Sequence, residues 1–459
     1  MDAIDNSAGV DCSDHEVNIK ILLDTIVADG DLTGKQRNAI LAEMGDEVAA
    51  LVLRDNYEQT QAISTSTAQA GSMVEVHERY VRSLEQDGTL NRELEVLPTD
   101  EGFDERQAAG GGLTAPEFAT LLSHTKIALG QELLASDLPE DPYLSSELER
   151  YFPARLAEEF GTQLQRHPLR REIIASRVVN DLVNRAGTTF AFRLSDETGA
   201  GADDIARAYA AAREVFGLRG LWAEIEALDG RVPAEAQTAM LLRARILLER
   251  ATRWLLRNRR RPIDIAAAVA RYASGAATLA EALPTLLGPS ELEAALARAE
   301  GFADVGVPPE LARRVAYLET LVPTLDLVEI AGAAEVDVTS AAAVYFALGA
   351  RLELHWLRDR IVDLPRETRW EAMARAALRD DVYSEQAGLT AEVLRAGAGV
   401  ELWQAENASA IERSLQVLSD IRSGGTLDLA RLSVAVREIR NLIHSSGTQE
   451  PAAQPASRP

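Results

Sequence analysis

A short segment near the amino terminus has the residue types of a site that binds a carboxylate. Residues 2–21 read DAIDNSAGVDCSDHEVNIKI, in which a turn-forming stretch precedes Ser13 and Glu16 follows three residues later. This spacing is typical of a capping box, so it predicts a helix that begins at Ser13 and runs through Leu22. A serine hydroxyl and free N–H groups at a helix start can receive a carboxylate. The simpler interpretation, that Ser13 only caps its helix, stays open because helix caps are common.

Other residues that could bind phosphate or a metal ion lack the required context. No G-x-G-x-x-G or Walker A motif is present; Gly199–Gly201 is predicted to stop a helix, and no strand precedes Gly110–Gly112. The six histidines are scattered and Cys12 is the only cysteine, so we predict no metal site. The basic run Arg257 and Arg259–Arg261 could dock an anion, but arginines at a helix C-terminus more often offset the helix dipole. We assign no catalytic residue.

The elements that would position these residues are predicted to be helices. Apolar residues recur at intervals of three and four along most of the chain, and alternating strand patterns are scarce. One stripe in the segment 233–256 contains Met240 or Leu241, Ala244, Leu247 or Leu248, Ala251, and Trp254 or Leu255. A second in the segment 170–194 contains Ile174, Val178, Leu182, Ala186 and Phe190. The fold class that follows is all-α, with multi-helix bundle arrays and these two segments as core helices.

Helix boundaries are predicted from capping pairs and prolines. Capping-box spacing occurs at three further pairs: Thr33 with Gln36, Thr114 with Glu117, and Ser146 with Glu149. Proline is tolerated in the first turn of a helix and otherwise separates helices. We place Pro116 in a first turn and four prolines between helices: Pro233, Pro262, Pro308 and Pro365.

Composition suggests one main division of the chain. A stretch rich in Asp, Glu and Gly ends in three consecutive glycines, so we place a linker at 99–112 between a first domain, 1–98, and a helical domain, 113–445. A sub-boundary is predicted near 258–262, and the tail 446–459, rich in Ser, Gly, Pro and Ala, is predicted to be disordered.

Charge and composition exclude several classes of partner. The formal net charge of −25 over 459 residues disfavours nucleic acid and anionic membranes. The single cysteine fits a reducing cytoplasm, and neither a signal peptide nor a transmembrane segment is predicted. Only three lysines occur, Lys20, Lys35 and Lys126, so lysine-based chemistry has few candidates.

The amino-terminal segment resembles a known family. Residues 5–20 match the pattern D-N-S-A-G-V-D-x-S-D-x-E-V-N-I-K of the large bacterial NAD-specific glutamate dehydrogenases, where this stretch lies in the catalytic domain. The resemblance covers most of residues 2–445 and is loosest after about residue 260. It continues through residues 29–33, 35–38, 53–57, 112–114, 167–174 and 177–181.

The same segment is also similar to the N-x-G-G-V-x-x-S-x-x-E motif of the smaller glutamate dehydrogenases. This resemblance implies that Asn6 lies beside the nicotinamide of NAD, that Ser13 helps to hold the side-chain carboxylate of glutamate, and that Val10 packs nearby. Ala8 stands where the smaller enzymes have the first glycine of the pair, which weakens the local analogy.

The resemblance implies oxidative deamination of L-glutamate to 2-oxoglutarate and ammonia, with hydride transfer to NAD. The lysines of the substrate lobe, the catalytic aspartate and the glycine fingerprint would lie upstream of Met1. We therefore expect a fragment that starts with the truncated end of a Rossmann-type catalytic domain and is inactive alone. The helical region would brace a homo-oligomer. The alternative is a non-enzymatic helical scaffold or a regulatory or oligomerisation subunit.

Overall fold

The computed structural model describes residues 7–365, 368–397, 399–425 and 427–446. Every regular element in these ranges is helical and none is a strand, so the all-α prediction is confirmed. The predicted tail, apart from Ser446, lies outside the described residues.

The helices of the first half are separated by short connections and three 3₁₀ turns. In chain order they are α1 (Ser7–Ala28), α2 (Gly34–Glu43), α3 (Gly45–Ala68), α4 (Val74–Gln86), α5 (Asp100–Ala108), α6 (Ala115–Ala135), α7 (Ser145–Tyr151), α8 (Ala154–Leu164), α9 (Arg170–Ala186), α10 (Phe190–Thr198) and α11 (Ala202–Val215). The 3₁₀ turns are Gly71–Met73, Leu138–Glu140 and Pro142–Leu144.

The second half continues in the same way, with a 3₁₀ turn at Leu318–Leu321. Its helices are α12 (Leu218–Glu226), α13 (Ala234–Asn258), α14 (Ile265–Leu286), α15 (Pro289–Asp304), α16 (Pro309–Tyr317), α17 (Thr324–Ala334), α18 (Val338–Arg351), α19 (Leu354–Val362), α20 (Arg369–Ala396), α21 (Gly399–Glu406), α22 (Ala408–Ser423) and α23 (Leu429–Ser446).

The chain forms two compact units, the first from Met1–Arg219 and Gln237–Val269 and the second from Gly220–Ala236 and Ala270–Pro459. In the first unit, α1 packs against α2, α3 and α8, and α3 also contacts α6 and α9. The second unit has its own apolar core, in which α20 contacts α18, α19 and α23. Each unit therefore buries its own set of amphipathic helices.

The two predicted core stripes are buried, but one of them is divided between two helices. In α13, Met240, Ala244 and Leu247 are fully buried, as predicted. The stripe predicted over 170–194 is also buried, yet α9 ends at Ala186 and α10 begins at Phe190.

Gly187 is the reason for this division. Its φ is +96°, and a Cβ there would lie 1.8 Å from Nη2 of Arg245. Only glycine fits this backbone and this close guanidinium, so a single long helix over the segment is excluded.

Two of the three predicted capping boxes outside α1 are confirmed. Thr33 with Gln36 and Thr114 with Glu117 cap α2 and α6. The box predicted at Ser146 is wrong, because α7 already begins at Ser145 and the Ser146 hydroxyl donates backwards to the carbonyl oxygen of Tyr143, 3.2 Å away. Thr368 and Glu371 form a further capping box at the start of α20, which was not predicted from the sequence. Pro116 lies in the first turn of α6, and the other four prolines lie between helices, as predicted.

The segment predicted as a linker, 99–112, contains the helix α5. Phe103 of α5 is 1% exposed, and Arg106 forms two hydrogen bonds with Glu117 of α6, at 2.6 and 2.7 Å. Both flanks of the segment belong to the first compact unit. The division at 99–112 therefore stays a prediction about family regions. The boundaries between the two compact units lie at other positions in the chain.

Candidate functional site

The helix α1 carries the residues that the sequence singled out. It begins at Ser7, so Ser13 lies within the helix and the capping box predicted for Ser13 and Glu16 is wrong. The stretch expected to turn is helical from Ser7 onward. The N–H group of an interior residue is bonded inside its helix, so Ser13 can offer a ligand only its hydroxyl. Asn6 lies outside the described residues.

Val10 and Ser13 lie on one exposed face of α1. Spacings of three and four residues place Val10, Ser13 and Val17 along the same side of the helix. Val10 is 50% exposed and Val17 is 51% exposed, and Ser13 between them is also exposed. We call these three residues the α1 face. It offers one hydroxyl flanked by two apolar side chains, which suits a ligand that has a carboxylate on a short carbon chain.

Neighbouring groups leave this face open. Leu53 of α3 is 70% exposed, and it lies one turn before Asn56, whose amide contacts the Asp11 carboxylate of α1 at 3.4 Å. Lys20, two turns after Ser13, forms an ion pair with Glu16. Val10, Ser13 and Val17 are therefore accessible to a ligand.

The opposite side of α1 is buried and includes polar side chains. His15 is 3% exposed, and its Nε2 lies 3.9 Å from the carboxylate of Asp55, which contacts Arg177 of α9 at 3.3 Å. Burial raises the pKa of Asp55, but His15 and the charge of Arg177 outweigh this effect, and the net pKa lies below the usual value. The carboxylate is thus held in its charged form between α1 and α9.

His167 binds the backbone of the same helix. Its Nδ1 accepts a hydrogen bond from the N–H of Leu169 at 3.1 Å, so the ring hydrogen is on Nε2. Nε2 donates to the carbonyl oxygen of Asn18, also at 3.1 Å. Burial lowers the pKa of His167, which keeps the ring neutral.

Sequence reasoning identified the exposed residues of α1 and missed the buried polar ones. His15 and Asn18 were identifiable as buried, because they fall in register with Ile19, Leu22 and Ile26 on the apolar side. Two of their partners, Tyr151 of α7 and His167 just before α9, carry no signal in the sequence, since they lie more than a hundred residues away.

The described residues do not fit the pyrophosphate of a dinucleotide. Such a site is built from a strand, a glycine-rich turn and a helix N-terminus, and none of the described residues forms a strand. Gly199 adopts φ +64° and ends α10, as predicted, and Gly110–Gly112 joins α5 to α6. Neither triplet follows the required element.

The basic run after α13 serves helix ends. Arg261 donates to the carbonyl oxygens of Thr198 and Leu256, both at 3.2 Å, near the ends of α10 and α13. The guanidinium of Arg259 lies over the Trp254 ring, 5.0 Å from its centroid. These contacts favour the helix-end interpretation over an anion site.

The described part of the chain offers neither a metal centre nor a membrane-spanning helix. It contains no group of three or more His, Cys, Asp or Glu side chains that could hold a metal ion. It also contains no helix that combines the length and the apolar character needed to cross a bilayer.

Two family models match the chain in tandem. The model described as bacterial NAD-glutamate dehydrogenase, catalytic domain, matches residues 1–66. The model described as glutamate dehydrogenase, C-terminal, matches residues 110–441, which is more than half of the chain. The α1 face lies in the first match, and α7 and α9 lie in the second.

Curated relatives are similar over nearly the whole chain. The NAD-specific glutamate dehydrogenase of Pseudomonas aeruginosa is 43% identical over 455 residues. Those of Mycobacterium tuberculosis and Halomonas elongata are 41% identical over 453 and 457 residues. Each alignment covers 97% of this chain and 28% of the relative, so the chain spans little more than a quarter of the relatives' length.

Proposed function

Because this chain belongs to the family of the glutamate dehydrogenase C-terminal region, we propose that it works as part of an NAD-dependent glutamate dehydrogenase. The reaction would convert L-glutamate, NAD and water to 2-oxoglutarate, ammonia and NADH, as the names of the relatives suggest. The observation that carries this proposal is the α1 face, where Val10 and Ser13 meet on an exposed side of one helix.

In this proposal the α1 face is one wall of the glutamate site. The Ser13 hydroxyl donates to the side-chain carboxylate of the substrate, and Val10 and Val17 contact its carbon chain. Asn6 contacts the nicotinamide end of NAD, in keeping with its place in the family motif. NAD, when bound, accepts the hydride from Cα.

The rest of the site belongs to a Rossmann-type region of the enzyme. The described residues lack a pyrophosphate site, and their α1 face is open, so the dinucleotide and the reacting Cα must be held from the other side. The proposed contribution of this chain is to orient the substrate. Its described residues do not transfer the proton.

We further propose that the enzyme is a cytoplasmic homo-oligomer. The single cysteine is free and exposed, as suits a reducing compartment. Exposed apolar side chains offer surface for contacts between subunits, among them Val96 at 81%, Leu94 at 76% and Trp370 at 71%.

The competing hypothesis is a non-enzymatic scaffold or a regulatory or oligomerisation subunit. The observation in its favour is that the described residues form no pyrophosphate site. The two hypotheses differ at Ser13, because a scaffold has no use for a hydroxyl on the α1 face.

The test uses a chimeric enzyme, in which this chain replaces the matching segment of the Pseudomonas aeruginosa relative. Ser13→Ala should raise the KM for glutamate about tenfold, because a hydrogen bond to a charged group contributes about 1.5–3 kcal/mol and a factor of ten corresponds to about 1.4 kcal/mol. The KM for NAD should change little. Steady-state kinetics of NADH formation measure both constants.

Cys12→Ala is the matched control. Cys12 is exposed and precedes Ser13, but it points away from the α1 face, so its removal should leave both KM values unchanged. Equal KM values for glutamate in Ser13→Ala and Cys12→Ala would remove Ser13 from the substrate site. A folded chimera without glutamate-dependent activity would favour the scaffold.

A further inference from the structure

Tyr151 of α7 holds the buried side of α1 by its hydroxyl. The side chain is 7% exposed, and the hydroxyl donates to Oδ2 of Asp14 at 2.7 Å. The hydroxyl oxygen of Tyr151 also accepts a hydrogen bond from Nδ2 of Asn18 at 2.8 Å. This Asn18 amide contacts Oδ1 of Asp14 at 3.2 Å as well. One phenol thus connects two residues that lie one turn apart on α1.

The ring of Tyr151 adds a third contact with the same helix. It stacks on the imidazole of His15, with 4.4 Å between the ring centroids and an interplanar angle of 25°. Contacts at Asp14, His15 and Asn18 fix the rotation of α1 about its axis, because Asp14 and Asn18 lie on one side of the helix and His15 is turned by about 100° from Asp14.

Tyr151 is itself held in place. Phe152 meets its ring edge-on at 5.0 Å, and His167 lies 5.6 Å from Phe152. His167 also donates to the carbonyl oxygen of Asn18. Both Tyr151 and His167 therefore hold this ring cluster against α1. The rings around Tyr151 therefore fix the position of its hydroxyl relative to α1.

These contacts join the two parts of the chain that match different family models. Asp14, His15 and Asn18 lie within residues 1–66, whereas Tyr151 and His167 lie within residues 110–441. Asp14 directly follows Ser13, so a rotation of α1 that breaks the phenol contact also moves the Ser13 hydroxyl.

We propose that Tyr151 is a positioning residue for the glutamate site, which sets the rotation of α1 and so aims the Ser13 hydroxyl at the substrate. The proposal rests on the proposed function, and it gives the C-terminal helical region a part in substrate binding. Tyr151 touches neither glutamate nor NAD in this scheme.

The first measurement does not depend on enzyme activity. In the chain alone, Tyr151→Phe removes only the hydroxyl, and amide hydrogen exchange in α1 between residues 11 and 22 should become at least about tenfold faster. Exchange in α13 should not change. Tyr143→Phe is the matched control, because Tyr143 lies on the neighbouring 3₁₀ turn and its backbone is hydrogen-bonded to Asp141 and Ser146.

The second measurement uses the chimeric enzyme. Tyr151→Phe should raise the KM for glutamate about tenfold, because misplacing a binding group by a fraction of an ångström weakens its contact with the substrate. The KM for NAD should change less than about twofold, and the melting temperature should stay close to that of the parent. Tyr143→Phe should match the parent in all three.

A second variant separates positioning from misfolding. Asp14→Asn changes an exposed carboxylate, weakens the same contact and should raise the KM for glutamate in the same way. Combined with Tyr151→Phe, its effect should be less than additive, since both substitutions act on one contact.

The outcomes distinguish the positioning role of Tyr151 from the proposed function. Unchanged exchange in α1 would overturn the positioning role, and so would faster exchange with an unchanged KM for glutamate. Absence of glutamate-dependent activity in the unsubstituted chimera would contradict the proposed function itself, and no Tyr151 variant is needed to see it.

Discussion

His77 in the first compact unit shows how strongly burial changes the pKa of a polar side chain. His77 of α4 is 4% exposed and meets Phe118 edge-on at 5.0 Å. Burial lowers its pKa from about 6.5 to about 3, and the charges of Arg193 and Arg245 add to this effect. The imidazole is therefore neutral in the folded protein over the whole physiological range.

Acid should destabilise the protein through His77. The folded state has the lower pKa, so the unfolded state takes up the proton first, and stability is lost as pH falls from about 6.5 towards 3. Between pH 6.5 and 5 the loss from this residue should be about 2 kcal/mol, at about 1.4 kcal/mol per pH unit.

Urea unfolding of the parent and of His77→Gln at several pH values measures this effect. The free energy of unfolding of the parent should fall more steeply with acid than that of the variant, because the carboxyl groups titrate alike in both. Parallel curves would mean that His77 is accessible to protons in the folded state.

Helix junctions decide how the elements are arranged, and Gly187 is the clearest case. It combines φ +96° and ψ +162°, a region open essentially to glycine, with direct contact to Arg245. Nη1 of Arg245 donates to Gln69 at 3.2 Å, which helps to hold the guanidinium in this position. The junction separates α9 from α10 although one apolar stripe runs through both.

A pair of glycine substitutions tests this junction. Gly187→Ala should cost at least about 3 kcal/mol, because it strains the backbone and displaces a buried guanidinium. Gly199→Ala is the matched control: Gly199 has φ +64°, but a Cβ there meets nothing within 4 Å, so it should cost about 1–2 kcal/mol. Urea unfolding measures both costs, and equal costs would show that Arg245 yields easily.

Local signals in the sequence predict elements well and their junctions poorly. The stripes of α9 and α13 and the caps at Thr33 and Thr114 were predictable, because residues three or four apart determine them. The break at Gly187 was missed because the apolar stripe continues across it, although a glycine is itself a signal for a helix end.

The same difference between local and distant signals applies to the candidate site. The shared face of Val10 and Ser13 follows from helical spacing, and the error at Ser13 came from reading a common cap pattern inside a longer helix. Tyr151 could not be predicted, because its partner Asp14 is 137 residues away.

At the scale of the whole molecule, family regions and compact units do not coincide. The family models match residues 1–66 and 110–441, whereas the first compact unit contains Met1–Arg219 and Gln237–Val269. Part of the C-terminal family region therefore belongs to the same unit as α1. In our proposal, this part of the C-terminal family region supports α1, the helix that would face the substrate.

Glutamate-dependent formation of NADH by the purified chain, beside the chimeric enzyme at equal concentration, tests the central claim most directly. We expect no turnover from the chain alone and clear turnover from the chimera, because the described residues offer only the proposed wall of a glutamate site and no place for the pyrophosphate. Sustained turnover by the chain alone would contradict the account, since hydride transfer would then need only the groups that this chain contains.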